Sequence, residues 1–167
     1  MRRYPSWNAL IAYCRLSAMP VGRFVLDVHR EDRDTWPAND ALCAALQVIN
    51  HLQDCGKDYR QLGRVYLPEE MMVAAGARVE ELAARAASPA LRSVIRGCAE
   101  LTQGLLAHSA RFAASIRDRR LAAEVAVIQR LAEDLTARLL HRDPLSERVH
   151  HRKAEAAWLA LRALVGR

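Results

Sequence analysis

From Ala41 to Gln53 the chain carries no charged side chain, although the segment has the length of an ordinary helix. A surface helix normally shows Lys or Glu on its outer face, so this one is predicted to be buried on most sides. A first helix is predicted from Ser6, as N-cap, through Ala18, kinked or broken at Pro20 and Gly22. Apolar residues return at Phe24, Val25 and Val28, and the charged stretch Arg30–Asp40, with Pro37, reads as a loop. Asn39 or Asp40 would cap the helix that runs from Ala41 to about Tyr59. The Gly63–Pro68 segment is a break, and Pro68-Glu69-Glu70 opens a short helix that Gly76 ends. Further helices are predicted from Val79 to Ala87, from Ser88-Pro89 to about Ile116 and from Arg119 to Leu140. The last is capped by Ser146 and reaches Val165. No segment alternates convincingly as a strand, so the expected class is an all-α bundle, one domain over residues 1–167.

At about 100° per residue, Gln47, Asn50, Asp54 and Asp58 fall within about 80° of one another, opposite Leu42, Ala45, Leu46, Ile49 and Leu52. Two carboxylates one turn apart near a helix C-terminus repel each other and oppose the helix dipole. A divalent cation would relieve both penalties, and Mg²⁺ favours such oxygen ligands together with waters and phosphate. The plain alternative is a solvated polar face, with Asp58 offset by Lys57, Arg60 or Arg64.

Composition narrows the function classes. Of 167 residues, 51% are apolar and 26% charged, a globular balance that excludes wholesale disorder. Gly (7), Pro (6) and Phe (2) are scarce, which disfavours a β-sandwich or barrel. A net charge of +6 suits an anionic partner such as a phosphorylated substrate, a membrane surface or nucleic acid. Only 5% of the chain is aromatic, too little for basic residues interleaved with stacking rings, so nucleic acid is not the expected partner. Cys14, Cys43, Cys55 and Cys98 form no C-x-x-C pair and read as free, small buried hydrophobes in a reducing, cytoplasmic setting. No apolar run reaches the length of a membrane span, and no signal peptide is expected. His51 reads as a hydrogen-bonded interior histidine. His150-His151-Arg152-Lys153 and Arg117–Arg120 read as solvated basic clusters.

The motif Gln47-x-x-Asn50-x-x-x-Asp54-x-x-x-Asp58, followed by Gly63-Arg64-Val65-Tyr66-Leu67-Pro68, resembles the second aspartate-rich motif of the squalene/phytoene synthase family. Tyr13-Cys14 with Ala18-x-x-Val21-Gly22 is similar to that family's Tyr-Cys helix, and the order and separation of the two blocks agree. Ser17–Arg23 and Arg142–His150 look like the hopanoid-associated hydroxysqualene synthase branch. The resemblance implies an isoprenoid-synthase-type helical bundle, Mg²⁺-dependent ionisation of a prenyl diphosphate (farnesyl or presqualene diphosphate) and head-to-head 1′–1 coupling or rearrangement. It implies Asp54 and Asp58 as metal ligands with Asn50 beside them, Gln47, Asn50 and Arg64 as substrate-binding residues with Arg64 neutralising the diphosphate, and Tyr13 as the catalytic residue facing the carbocation.

The family's other aspartate-rich motif precedes its Tyr-Cys helix, whereas this chain starts almost at that helix, and Asp54/Asp58 is its only Asp pair at i, i+4. The expectation is therefore an N-terminally truncated bundle, the partner of a missing N-terminal half or of another synthase chain. Such a chain should leave apolar surface uncovered. Two other readings stay open: a non-catalytic remnant or helper subunit of the same fold, and an unrelated basic bundle on an anionic partner. The basic C-terminal helix could bring peripheral membrane contact.

Overall fold

The uncharged helix is the centre of the architecture. The computed structural model describes residues 3–165, in which nine α-helices and two 3₁₀ turns occur and no strand. The helices are α1 Trp7–Ser17, α2 Met19–Val28, α3 Trp36–Gln53, α4 Cys55–Leu62, α5 Glu69–Ala75, α6 Pro89–Ser109, α7 Phe112–Ser115, α8 Arg119–His141 and α9 Lys153–Val165. Helix α3 packs against α1, α2, α6 and α8, and α8 carries α9 on its other side. Because α3 is surrounded, Ala44, Ala45, Val48 and Ile49 are buried on it, facing Leu91, Val94, Ile95 and Cys98 of α6 in the same core. Small Ala side chains let the α3 and α6 backbones approach closely.

Capping follows the sequence at several ends. Ser6 accepts from Ala9 N at 3.2 Å, Ser88 accepts from Leu91 N at 3.1 Å, and Asp118 accepts from Arg120 N and Leu121 N. Gly63 and Gly76 adopt φ of 60° and 68° and end α4 and α5. Elsewhere the structure corrects the expected boundaries. The Arg30–Asp40 loop is mostly helical: a 3₁₀ turn spans Arg33–Thr35 and α3 starts at Trp36, with Pro37 tolerated in its first turn. Asn39 and Asp40 are therefore not caps. Asn39 is buried and donates to Asp40 Oδ1 at 3.2 Å, and Asp40 holds Arg23 of α2 in an ion pair. The segment expected as a helix over Val79–Ala87 is a 3₁₀ turn, Val79–Ala83, and the helix expected to reach Ile116 ends at Ser109 before the separate turn of α7. Ser146 caps nothing, because its N–H and Oγ both serve Asp143 O in a turn, and α9 starts at Lys153.

The break expected near Pro20 lies at Ala18, where Pro20 enters the first turn of α2. Taken together, Trp7–Val28 is long and apolar enough to cross a membrane by length and composition, contrary to the expectation that no such stretch exists. Its Leu10, Cys14, Met19 and Leu26 are nevertheless buried in the core against the rest of the bundle. The outward side of the same pair is bare: Leu16 is 85% exposed, Phe24 68%, and Val21 and Val28 62% each. Uncovered apolar surface was expected of this chain, and it lies here.

Gly22 sets the α2–α3 distance. A Cβ there would lie 2.1 Å from Asn39 Oδ1 and 2.6 Å from Cys43 Sγ. Gly22→Ala is therefore expected to destabilise the protein by about 1–3 kcal/mol through overpacking. Gly104→Ala, in a helix interior with open space around it, is expected to stabilise it by about 0.5–1 kcal/mol. Thermal melts of the two variants check the opposite signs.

Candidate functional site

The C-terminal end of α3 builds the polar row. Asp54 leaves helical geometry at φ −100°, ψ 6° and separates α3 from α4. The hydrogen-bond ladder nonetheless runs through it, from Asp54 N to Asn50 O at 3.0 Å and from Asp58 N to Asp54 O at 2.8 Å. Asn50, Asp54 and Asp58 thus keep the i, i+4 stacking of a single helix face. Asn50 is exposed, and both aspartates are half-buried. Burial, and then the charge of Asp54, push the Asp58 carboxyl above its ordinary range, against the opposing pull of Lys57 and Arg64. Lys57 Nζ stands 3.9 Å from Asp54 Oδ1. Arg60 turns away and donates to Leu82 O at 3.4 Å.

Gly63 explains how Arg64 reaches this row. With Gly63 left-handed, Gly63 N donates to Tyr59 O at 3.1 Å and Arg64 N donates to Asp58 O at 3.2 Å, so the chain folds back over the end of α4. The Arg64 guanidinium donates to Tyr66 Oη at 3.5 Å and feels both Tyr13 and Asp58. Arg64 is thus the link between the aspartate row and an aromatic group of three tyrosines and a histidine.

That group is built from three segments. His51 stacks on Tyr66, with centroids 3.4 Å apart and planes 7° from parallel, and lies 6.1 Å from the Tyr13 ring. Tyr4 is 5.4 Å from Tyr13 and 5.9 Å from Tyr66. As expected from its place, His51 is buried and hydrogen-bonded: Gln47 Nε2 lies 2.8 Å from its Nε2, and its Nδ1 is buried without a protein partner. Burial, aided by the Arg64 charge, lowers its pKa to about 4, so the ring is neutral at pH 7. Gln47 is turned towards this ring, so one end of its amide is already engaged.

The structure therefore brings Tyr13 and Asp58 within electrostatic reach of the Arg64 guanidinium, with Asp54 and Asn50 continuing the row, and turns Gln47 onto His51. Sequence reasoning missed Tyr4 and Tyr66 as ring partners of Tyr13; the Gly63–Pro68 break held the signal, since it returns Tyr66 to the core. It also missed a cleft of about 420 Å³ lined by Gln53, Asp54, Lys57, Ser146, Arg148 and His150. His151 is not solvated as expected: it pairs with Asp134 at 2.8 Å and its side chain is only 10% exposed. Among the described residues no group of three or more His, Cys, Asp or Glu side chains converges as a metal site, so any ion at the row would draw on two carboxylates and neutral oxygens. All four cysteines are free, and burial pushes the Cys55 and Cys98 thiols up to about 12.

Fold and site together define an isoprenoid-synthase-type helical bundle. A dehydrosqualene synthase solved in complex with a ligand superposes over 99% of this chain and 59% of its own, with a TM-score of 0.81 at 20% identity, a likeness of fold. A squalene synthase, HpnC of Alicyclobacillus acidocaldarius, matches 82% of this chain and 52% of its own, with a TM-score of 0.75 at 34% identity. The chain belongs to the squalene/phytoene synthase family, whose pattern matches residues 1–155. It is 59% identical to the hydroxysqualene synthase of Zymomonas mobilis over all 167 residues and 56% identical to that of Rhodopseudomonas palustris over 153. These matches take up 56% and 52% of the relatives, so the chain spans about half the length of the curated relatives it matches.

The lowered pKa of His51 gives a stability signature. An unfolded imidazole titrates near pH 6.5 and the folded one near 4, so between those values the unfolded chain binds the extra proton. The contribution is complete above pH 6.5 and is lost as the pH falls towards 4, by up to about 3 kcal/mol. Urea midpoints at pH 7 and pH 4.5 should differ more in the parent than in His51→Phe, which keeps a ring on Tyr66 but cannot titrate.

Proposed function

We propose that the chain forms the second aspartate-rich wall of a Mg²⁺-dependent prenyltransferase acting on a prenyl diphosphate, presqualene or farnesyl diphosphate. The product would be a squalene-like alcohol of triterpenoid, hopanoid-type biosynthesis. The observation that carries the reading is the row Asn50, Asp54, Asp58, with Arg64 folded back over its end. The relatives named hydroxysqualene synthase, and the presqualene diphosphate synthase of Rhodopseudomonas palustris, 35% identical over 109 residues, favour this substrate class.

The donors suit Mg²⁺: hard oxygens one turn apart, with one carboxyl held above its ordinary range by burial and then by its neighbour's charge. Asp54 and Asp58 would hold the ion, with Asn50 beside them, and Mg²⁺ would supply the charge that makes diphosphate a stable leaving group. Arg64 donates to the departing diphosphate oxygens, and Lys57 adds charge from the Asp54 side. When the C–O bond breaks, its electron pair leaves with the diphosphate and an allylic or cyclopropylcarbinyl cation remains. The π-face of Tyr13, held beside Tyr4 and Tyr66, would stabilise that cation. Neutral His51 adds no competing positive charge to this wall. From presqualene diphosphate, whose cyclopropylcarbinyl cation already holds both prenyl units, ring opening and addition of water oxygen with loss of a proton would give the alcohol. From farnesyl diphosphate the allylic cation would first add to the double bond of a second prenyl diphosphate, with loss of a proton, to form that two-unit diphosphate.

Calorimetric titration with inorganic diphosphate tests the reading. Binding should require Mg²⁺, weaken by at least about tenfold in Asp54→Asn and in Asp58→Asn, and stay unchanged in Asp32→Asn. Magnesium-independent binding, or full binding in both row variants, would overturn it.

A further inference from the structure

Helix α9 packs on α8 and divides into two sides by spacing. At about 100° per residue, Ala156, Leu159, Ala160 and Ala163 share one side, where Leu159 is buried and the three alanines are half-buried. Ala154, Ala157, Trp158 and Leu161 fill an arc of about 100° on the other side, and all four are exposed, Trp158 by 55% and Leu161 by 60%. Lys153 stands at one edge of that arc and Arg162 at the opposite edge, and both are exposed. The Arg162 guanidinium lies 4.7 Å above the Trp158 ring, so one edge is a cation resting on an indole. Arg152, just before the helix, is exposed as well. The acids nearby already have partners. Glu155 accepts from Arg138 Nη1 at 3.1 Å and from Arg152 N at 2.9 Å, and Asp134 is paired with Arg138 and His151. The outer side of α9 thus joins an apolar strip to an excess of positive charge.

We propose that the outer face of α9 is a docking surface for the headgroup region of an anionic lipid bilayer. Charge complementarity and the order of residues around the helix both point to this occupant. Trp158 and Leu161 would enter the boundary between headgroups and acyl chains, where an indole is well placed because one end is apolar and the other polar. Arg152, Lys153 and Arg162 would meet lipid phosphates from the edges of the arc, their aliphatic stems lying along the apolar strip. A helix of 13 residues is about 20 Å long, shorter than a hydrocarbon core of about 30 Å. One of its sides is also committed to α8, so the helix lies on the bilayer and does not cross it. A folded protein partner would need a shaped apolar groove with acids placed opposite all three cations. A bilayer supplies phosphate charge and apolar depth along the whole helix without a matching shape. The inference stands on the surface of α9 and not on the metal site or the substrate.

Flotation of the whole chain with vesicles, in the absence of diphosphate and Mg²⁺, tests this. The chain should float with vesicles of equal parts phosphatidylglycerol and phosphatidylcholine, and the bound fraction should fall as NaCl is raised. Vesicles of phosphatidylcholine alone should bind at least about tenfold less. Trp158→Ser with Leu161→Ser should lower partitioning into the anionic vesicles by at least about tenfold, and so, separately, should Arg152→Gln with Lys153→Gln. Val73→Ser, at a bare apolar residue of α5, should leave it unchanged. Circular dichroism melts of each variant report folding separately, and all the substituted α9 residues are exposed. No flotation of the parent, equal flotation of both double variants, or equal binding to the two kinds of vesicle would overturn the proposal. So would loss of flotation in Phe24→Ser with Val28→Ser in place of the α9 variants. Occupation of the face by a second copy would overturn it too, seen as a lipid-free dimer by light scattering that Trp158→Ser with Leu161→Ser abolishes.

Discussion

Two carboxylates at the C-terminal end of a buried helix are electrostatically adverse, and much of the structure is arranged around that fact. Asp54 and Asp58 repel each other where the α3 dipole is already negative. The cations beside them are exposed ones: Lys57 stands 3.9 Å from Asp54, and Arg64 arrives because Gly63 turns the chain back. Burial keeps the Asp58 carboxyl above its ordinary range despite both cations. A fold that keeps such a row on its central helix holds two carboxylates in mutual repulsion at one place, with exposed Lys57 and Arg64 as their counter-charges.

The aromatic group beside the row shows how the same helix serves two environments. His51 is on α3, one residue after Asn50, yet it faces the interior and stacks on Tyr66, while Asn50 faces out. One step of about 100° separates a solvated amide from a buried neutral ring. Arg64 bridges the two sides, bonded to Tyr66 and electrostatically coupled to Asp58. The polar and aromatic halves of the site are therefore coupled electrostatically through one guanidinium.

The row itself was legible, because Gln47, Asn50, Asp54 and Asp58 share a face by spacing alone and the ladder through Asp54 preserves that spacing. The central helix was legible in its missing charges, and Ser6, Ser88, Gly63 and Gly76 act at the helix ends where local chemistry puts them. What local pattern could not show was set by distant partners. Asn39 and Asp40 look like caps but are used to hold α2, so α3 begins at Trp36. Ser146 looks like a cap but is consumed in a turn on Asp143. Tyr4 and Tyr13 belong to the N-terminal segment and meet Tyr66 only because the extended stretch after Gly63 returns to it. Likewise Trp7–Val28 read as a helix to Ala18, a kink or break at Pro20 and Gly22, and returning apolar residues, and only its packing separates a buried side from a bare one.

The chain between α8 and α9 has a consequence of its own. Asp143 accepts from Ala87 N at 2.8 Å and from Leu145 N at 2.9 Å, Gln53 donates to Val149 O, and His151 is held to Asp134, which also binds Arg138. Residues 143–151 are thus fastened at both ends and in the middle, with Asp143 tied to Ala87 and Val149 tied to Gln53. The rim of the cleft beside Asp54 has lost its configurational freedom during folding, before any ligand arrives. A ligand entering that cleft meets Arg148 on a backbone already ordered, so little further ordering entropy opposes its binding.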